Sequence, residues 1–183
     1  MKLRALIILH PGIEEMEAVA PIDLLSRAGV EVVQASIGKE KQITGRSGIT
    51  LQANCLLSEI EGSFDITILP GGPGIMELRN NPQICQSLKQ QFEQGGIVAC
   101  ICAAPLLLKD SGLLYNVRYT AHPTTAGELD QASHEAVVCD GQIITSRGAG
   151  TATEFALSIV DKLCGSETAN ETAASICWTH SFM

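Results

Sequence analysis

Hydrophobic residues fall in short unbroken runs along this chain, and the runs alternate with stretches whose apolar positions recur every three or four residues. Leu3 to Leu9 is the first such run, and Glu14 to Ala28 follows, with apolar residues at Met16, Val19, Ala20, Leu24 and Leu25 before Gly29. That pattern predicts a strand and then an amphipathic helix. Pro21 lies inside the helical stretch, where it removes a backbone donor and is expected to bend the helix or break it into two shorter pieces.

Val30 to Ser36 predicts the second strand, and Gln42 to Cys55, punctuated by Gly45 and Gly48, predicts a strand-turn-strand excursion. Phe64 to Leu69 is a buried strand ending in Pro70-Gly-Gly-Pro-Gly74, and Asn81 to Gln94 is helical, closed by Gly95-Gly96. Ile97 to Ile101 is a strand again. Ala103 to Asp110 opens a helix with Pro105 in its first turn, a position where the missing donor does no harm. Arg118 to Thr120, Ala136 to Cys139 and Gln142 to Thr145 read as short strands, Thr151 to Leu163 as a helix ending at Gly165, and Glu167 to Ile176 as a final helix.

Strands that are continuously apolar rather than alternating are buried on both faces, so the order of elements indicates a parallel sheet covered by helices on each side. The fold class is α/β, a three-layer α/β/α sandwich, and residues 1–183 are read as one domain. In such folds ligands bind beyond the carboxyl ends of strands where the strand order reverses, which directs attention to the loops after Leu9, Leu69 and Ile101.

Composition narrows the partners. Twenty acidic residues against 12 Lys plus Arg give a formal net charge of −8, which repels phosphate backbones and anionic lipid surfaces and excludes nucleic acid as a partner. The apolar run of the N-terminus ends at His10-Pro11, too early for a signal peptide, and no run approaches the ~20 residues of a membrane helix. The chain is expected to be soluble and cytoplasmic. Its seven cysteines are odd in number and irregularly spaced, as suits reduced thiols, and neither Cys100-Ile-Cys102 nor the four scattered histidines has metal-ligand spacing. No metal and no cofactor are expected.

Chemistry concentrates in the three loops. Cys102 falls at a strand-to-helix junction, where free backbone donors and the positive end of a helix stabilise thiolate over thiol. Cys100 falls inside the strand as a small buried hydrophobe. Gly71, Gly72 and Gly74 allow backbone amides to approach another group and form an anion-holding nest, an oxyanion hole facing Cys102 or simply a tight turn. The loop lacks the spacing of a phosphate loop or a dinucleotide fingerprint. Glu14, Glu15 and Glu17 open a helix, where acids offset its dipole; an inward Glu17 would be desolvated and protonated, a donor to a sulfur or oxygen anion. His122 is the first choice of imidazole partner and His10 the second, with His134 and His180 assigned to solvent.

These residues also carry a likeness. Glu-Glu-Met-Glu17, Leu-Pro-Gly-Gly72, Ala-x-Ile-Cys102-Ala-Ala-Pro, His122-Pro and Thr-Ser-Arg-Gly-Ala-Gly-Thr151 together resemble the ThiJ/PfpI superfamily, in the branch of the parkinsonism-associated protein deglycase and its bacterial relatives. The resemblance runs from Leu3 to about Gly165. It implies a flavodoxin-like fold of the class I glutamine-amidotransferase type and a homodimer. It further implies Cys102 as nucleophile on a strained elbow, Glu17 as the protonated carboxyl beside the sulfur, and His122 as the nearby imidazole. Gly72 and Ala103 would supply the amides of an anion pocket, supported by Gly71, with Arg46 and Arg27 in the dimer-side surroundings. Cys100 departs from the alanine frequent in relatives, and the resemblance does not extend to the last dozen residues.

Three functions follow as expectations. The first is a cofactor-free glyoxalase or deglycase acting on small reactive carbonyls such as methylglyoxal or on early glycation adducts. The second is a redox-sensing chaperone with Cys102 oxidised to sulfinate. The third, ranked last, is a cysteine peptidase or amidase, which needs an acid to orient His122 where the sequence offers none.

Overall fold

A computed structural model describes residues 2–79 and 81–179. Nine strands are described: β1 (Arg4–Leu9), β2 (Glu31–Ser36), β3 (Gln42–Thr44), β4 (Thr50–Gln52), β5 (Cys55–Leu56), β6 (Ile66–Leu69), β7 (Ile97–Ile101), β8 (Val137–Asp140) and β9 (Ile143–Ser146). The helices are α1 (Glu15–Arg27), α2 (Ile75–Leu78), α3 (Pro82–Glu93), α4 (Pro105–Asp110), α5 (Ala152–Cys164) and α6 (Ser166–Ser175). Seven strands form one sheet in the order β5-β2-β1-β6-β7-β9-β8, and β3 and β4 pair as a separate antiparallel hairpin. Every pairing in the large sheet is parallel except β8 with β9.

Alternation along the strands builds two cores. Ala5, Ile7 and Leu9 of β1, with Ile66 and Ile68 of β6 and Ala99 and Ile101 of β7, pack on one face against Ala18 and Leu25 of α1 and Phe155, Ile159 and Val160 of α5. Leu6, Ile8, Leu69, Val98 and Cys100 face the other way, onto Ile84 and Leu88 of α3 and Leu107 and Leu108 of α4. Period-two alternation with both faces apolar is why these strands read as continuous runs. The three-layer sandwich is flavodoxin-like. Strand order reverses beside β1, which has β2 on one side and β6 on the other, so the loops leaving β1 and β6 diverge there.

Two expectations need correction. Helix α1 is one continuous helix through Pro21, which is buried on its inner face. The lost donor costs α1 one bond, and burial of Ala18, Pro21, Leu24 and Leu25 keeps the helix unbroken. Arg118 to Thr120 is not a strand: Thr120 makes only an isolated bridge with Ser133. Its backbone donors go to side chains instead, the Arg118 amide to Asp140 Oδ2 at 2.8 Å and the Thr120 amide to Thr145 Oγ1 at 2.9 Å. Elsewhere the pattern holds to within a few residues, and Asn81 caps α3 by accepting from the Gln83 amide. His180 lies outside the described residues.

Candidate active site

Strand β7 delivers Cys102 one residue past its end. The backbone there is left-handed, φ 66°, a conformation that costs a residue with a Cβ about 1–2 kcal/mol. Neighbouring bonds hold it: the Cys102 amide donates to the Ser146 carbonyl, its own carbonyl accepts from the His122 amide at 2.9 Å, and the Ala104 amide turns back to Ile101. The sharp turn points the sulfur off the sheet edge, while Cys100, two residues earlier, is fully buried in the core shared with α3 and α4. Burial alone pushes the Cys100 thiol up, so this sulfur is inert.

The acids at the head of α1 separate into three roles. Glu14 pairs with Arg46 at 3.0 Å on the rim, and Glu15 accepts from the Ser47 amide of the β3–β4 hairpin at 2.8 Å. Glu17 turns inward, 1 % exposed, and its Oε2 accepts from the Gly71 amide at 2.8 Å, while Oε1 is buried with no hydrogen-bond partner. Desolvation pushes the Glu17 carboxyl up to about 7, against the pull of the Gly71 amide and Cys102. A carboxyl raised this far keeps its proton well above the ordinary carboxylate range.

Cys102 and Glu17 face each other closely enough for each to shift the other's proton affinity. With Glu17 ionised, burial first, then the carboxylate's charge and hydrogen bond, push the thiol up to about 12, while the Gly72 and Ala103 amides pull it down. This corrects the expectation of a thiolate stabilised by its helix terminus. The six residues of α4 and two amides do not outweigh burial. A proton held on Glu17 would remove both contributions of the carboxylate and leave the two amides directed at the sulfur.

Glycine is obligatory where the loops meet. A Cβ on Gly71 would stand 2.6 Å from the Cys102 Cβ and 2.8 Å from Glu17 Oε2, and one on Gly72, at φ 109°, would stand 2.4 Å from the Gly12 carbonyl oxygen. His122 lines the same cleft. Its Nδ1 accepts from the Thr124 amide at 3.3 Å and pairs with the Thr124 hydroxyl at 2.8 Å, which leaves Nε2 to carry the proton. Among the described residues, the ring bonds of His122 go to Thr124 and none to an acid. The cleft is about 530 Å³, with Arg46 and Glu14 on one rim, Glu128 on the other, and Met76, Pro73 and Leu106 between.

The structure thus gathers Cys102, Glu17, Gly71, Gly72, Ala103, His122 and Arg46 around one cleft. Arg27 stands apart, at the far end of α1, paired with Asp23 at 2.9 Å and about 15 Å along the helix from Glu17. His10 bonds carbonyls rather than the sulfur, and His134 is exposed. Sequence reasoning missed the cleft's outer clamp: Arg79 makes paired bonds to both oxygens of Asp110 and to both of Glu128 at 2.6–2.8 Å, fixing the loop that carries His122. These three residues lie 31 and 49 positions apart, a spacing with no local signature. Among the described residues, no group of three His, Cys, Asp or Glu could hold a metal ion, and no helix is long and apolar enough to cross a membrane.

Known proteins resemble this chain over most of its length. The chain is 37% identical over 181 residues to the Parkinson disease protein 7 homolog of Danio rerio, covering 94% of this chain and 96% of that one. It is 36% identical over 179 residues to the glutathione-independent glyoxalase DJR-1.2 of Caenorhabditis elegans, covering 94% and 95%. The crystal structure of Drosophila melanogaster DJ-1beta superposes with a TM-score of 0.92 at 34% identity, covering 98% of this chain and all of that one. Residues 3–162 match the DJ-1/PfpI family, and the chain belongs to it.

Proposed function

We propose that this protein is a cofactor-free, cysteine-dependent glyoxalase, acting on methylglyoxal, glyoxal or their early adducts with amino and thiol groups. The observation that carries the reading is the buried Glu17 carboxyl, pushed up to about 7, next to Cys102, whose sulfur also faces the Gly72 and Ala103 amides. A general acid and base works best when its pKa lies near the working pH.

The steps balance with water as the only co-reactant. The sulfur, its proton held by Glu17, adds to the aldehyde carbon of methylglyoxal. The carbonyl oxygen takes that proton and a hemithioacetal forms. Glu17, now ionised, removes the hydrogen from the former aldehyde carbon, and the resulting enediolate is stabilised by the Gly72 and Ala103 amides and by the Nε2–H of His122. Returning the proton to the neighbouring carbon gives a lactoyl thioester. Water hydrolyses it to lactate and restores the thiol. A peptidase reading is disfavoured by the bonds of His122, which go to Thr124 rather than to an orienting acid.

A second use of the same pocket is redox sensing. The raised Glu17 carboxyl next to Cys102 suits an O–H that donates to a sulfinate oxygen, with the Gly72 and Ala103 amides as further donors. An outward face also suits a second copy of the chain: Met16 and Val19 of α1 and Ile49 of the hairpin are 59, 47 and 55 % exposed.

Lactate measured chromatographically from methylglyoxal in amine-free and thiol-free buffer tests the enzyme reading. Many turnovers by the wild type and formation slower by about 100-fold or more in Cys102→Ser are expected. Absence of lactate from protein whose mass shows a reduced Cys102 overturns it and leaves the sensor.

A further inference from the structure

His10 closes β1 fully buried, and the chemistry above does not use it. Its Nε2 lies 3.2 Å from the Pro70 carbonyl oxygen and its Nδ1 lies 3.1 Å from that of Pro11. The Gly71 carbonyl is a third acceptor acting on the ring. A buried imidazole ringed by acceptors is a donor, and what it donates to decides its role.

Each of those carbonyls is one end of a peptide group whose other end is an N–H. The Pro70 carbonyl shares a peptide with the Gly71 N–H, which donates to Glu17 Oε2 at 2.8 Å. The Gly71 carbonyl shares one with the Gly72 N–H, which is directed at the Cys102 sulfur, and it also accepts from the Glu14 amide at 3.0 Å. The Pro11 carbonyl shares one with the Gly12 N–H, which runs to the Thr44 carbonyl in the hairpin, away from the cleft. Two of the three branches therefore end on the reacting pair. Donation to a carbonyl oxygen polarises its peptide and makes the attached N–H a stronger donor, and it also fixes the plane in which that N–H points.

We propose that His10 is a positioning residue for the carbonyl chemistry, acting through the Pro70–Gly71 and Gly71–Gly72 peptides on the Glu17 carboxyl and the Cys102 sulfur. The proposal rests on the reading of those two groups as a proton-sharing pair. Packing leaves the ring no other place: a Cβ on Gly74 would stand 2.8 Å from Nδ1, so the loop after β6 is closed around it. A neutral ring has one N–H to give. From Nε2 it reaches the cleft, and from Nδ1 it reaches only the hairpin.

The test reads sulfur reactivity rather than turnover. The rate of iodoacetamide alkylation at Cys102 is followed by peptide mass spectrometry across pH in the wild type, His10→Leu, His10→Gln and His10→Asn. A Gln amide nitrogen reaches the place of Nε2, and an Asn amide nitrogen that of Nδ1. Weaker donors at Gly71 and Gly72 favour the protonated forms, so His10→Leu is expected to shift the profile upward by about half a pH unit, a roughly threefold slower rate on its rising limb. His10→Gln is expected to restore the profile and His10→Asn to leave it shifted. An unshifted His10→Leu, or rescue by Asn in place of Gln, overturns the proposal. Should the Leu variant fail to fold, nitrogen NMR of the unaltered protein decides: a proton on Nε2 supports the proposal, and a proton on Nδ1 alone overturns it. Failure to make lactate would leave this result standing, whereas a Glu17→Gln profile identical to the wild type would remove its premise.

Discussion

Replacing Glu17 by Gln should make the protein more stable at alkaline pH while leaving it nearly unchanged in acid. The carboxyl is 1 % exposed and raised from 4.5 to about 7, with desolvation as the main cause. A group raised in the folded state holds its proton through folding: its contribution is fully present below pH 4.5 and is lost as pH rises through 7. A shift of about 2.5 pH units corresponds to about 3 kcal/mol lost by the wild type between pH 4.5 and 8. Gln occupies the same volume, keeps an oxygen for the Gly71 amide and places an N–H where Oε1 has no partner, so it mimics the protonated acid. Urea unfolding of both proteins at pH 4.5, 6, 7 and 8 gives the difference, in which all other titrating groups cancel. It should rise from near zero to about 2–3 kcal/mol in favour of the variant. A difference flat across this range would refute the placement of the proton.

Other consequences are more local. Gly71→Ala puts a Cβ among the Cys102 Cβ, Glu17 Oε2 and the Ile101 carbonyl at 2.6–2.8 Å, and the resulting displacement should lower lactate formation about 100-fold while circular dichroism shows the fold retained. Arg79→Met strips Asp110 and Glu128 of their shared cation and should cost about 1–2 kcal/mol in urea unfolding at low salt, with a smaller cost at high salt. If the face bearing Met16, Val19 and Ile49 pairs two copies, Met16→Glu with Val19→Glu should convert a dimer into a monomer in sedimentation; an unchanged mass would place the interface elsewhere.

Most of the fold was legible because both faces of the sheet are buried, which turns each core strand into an apolar run bounded by glycine or proline. Ile97 to Ile101 was read to the residue for this reason, and the turn beyond it placed Cys102 off the sheet. Arg118 to Thr120 misled because its β-prone residues are held by Asp140 and Thr145 side chains, partners 22 and 25 positions away. Pro21 misled in the other direction, since tertiary burial outweighed one lost helical bond. At the candidate site, residue types and loop order singled out Cys102, Glu17 and the glycines, which the structure brings together, but not the direction in which burial pushes the sulfur. That depends on how deeply the pair is buried, a property of the closed cleft rather than of any local segment. The Arg79 clamp and the carbonyls around His10 join distant loops and leave no periodic trace.

Central to the proposed chemistry is that Cys102 and Glu17 work as one proton-sharing unit. A double-mutant cycle on lactate formation from methylglyoxal measures that directly, using Cys102→Ser, Glu17→Gln and the two together. Each single change should lower the rate by about 100-fold or more, and the double variant should be no slower than Cys102→Ser alone. Losses that multiply would mean the two groups act independently, contradicting the shared proton.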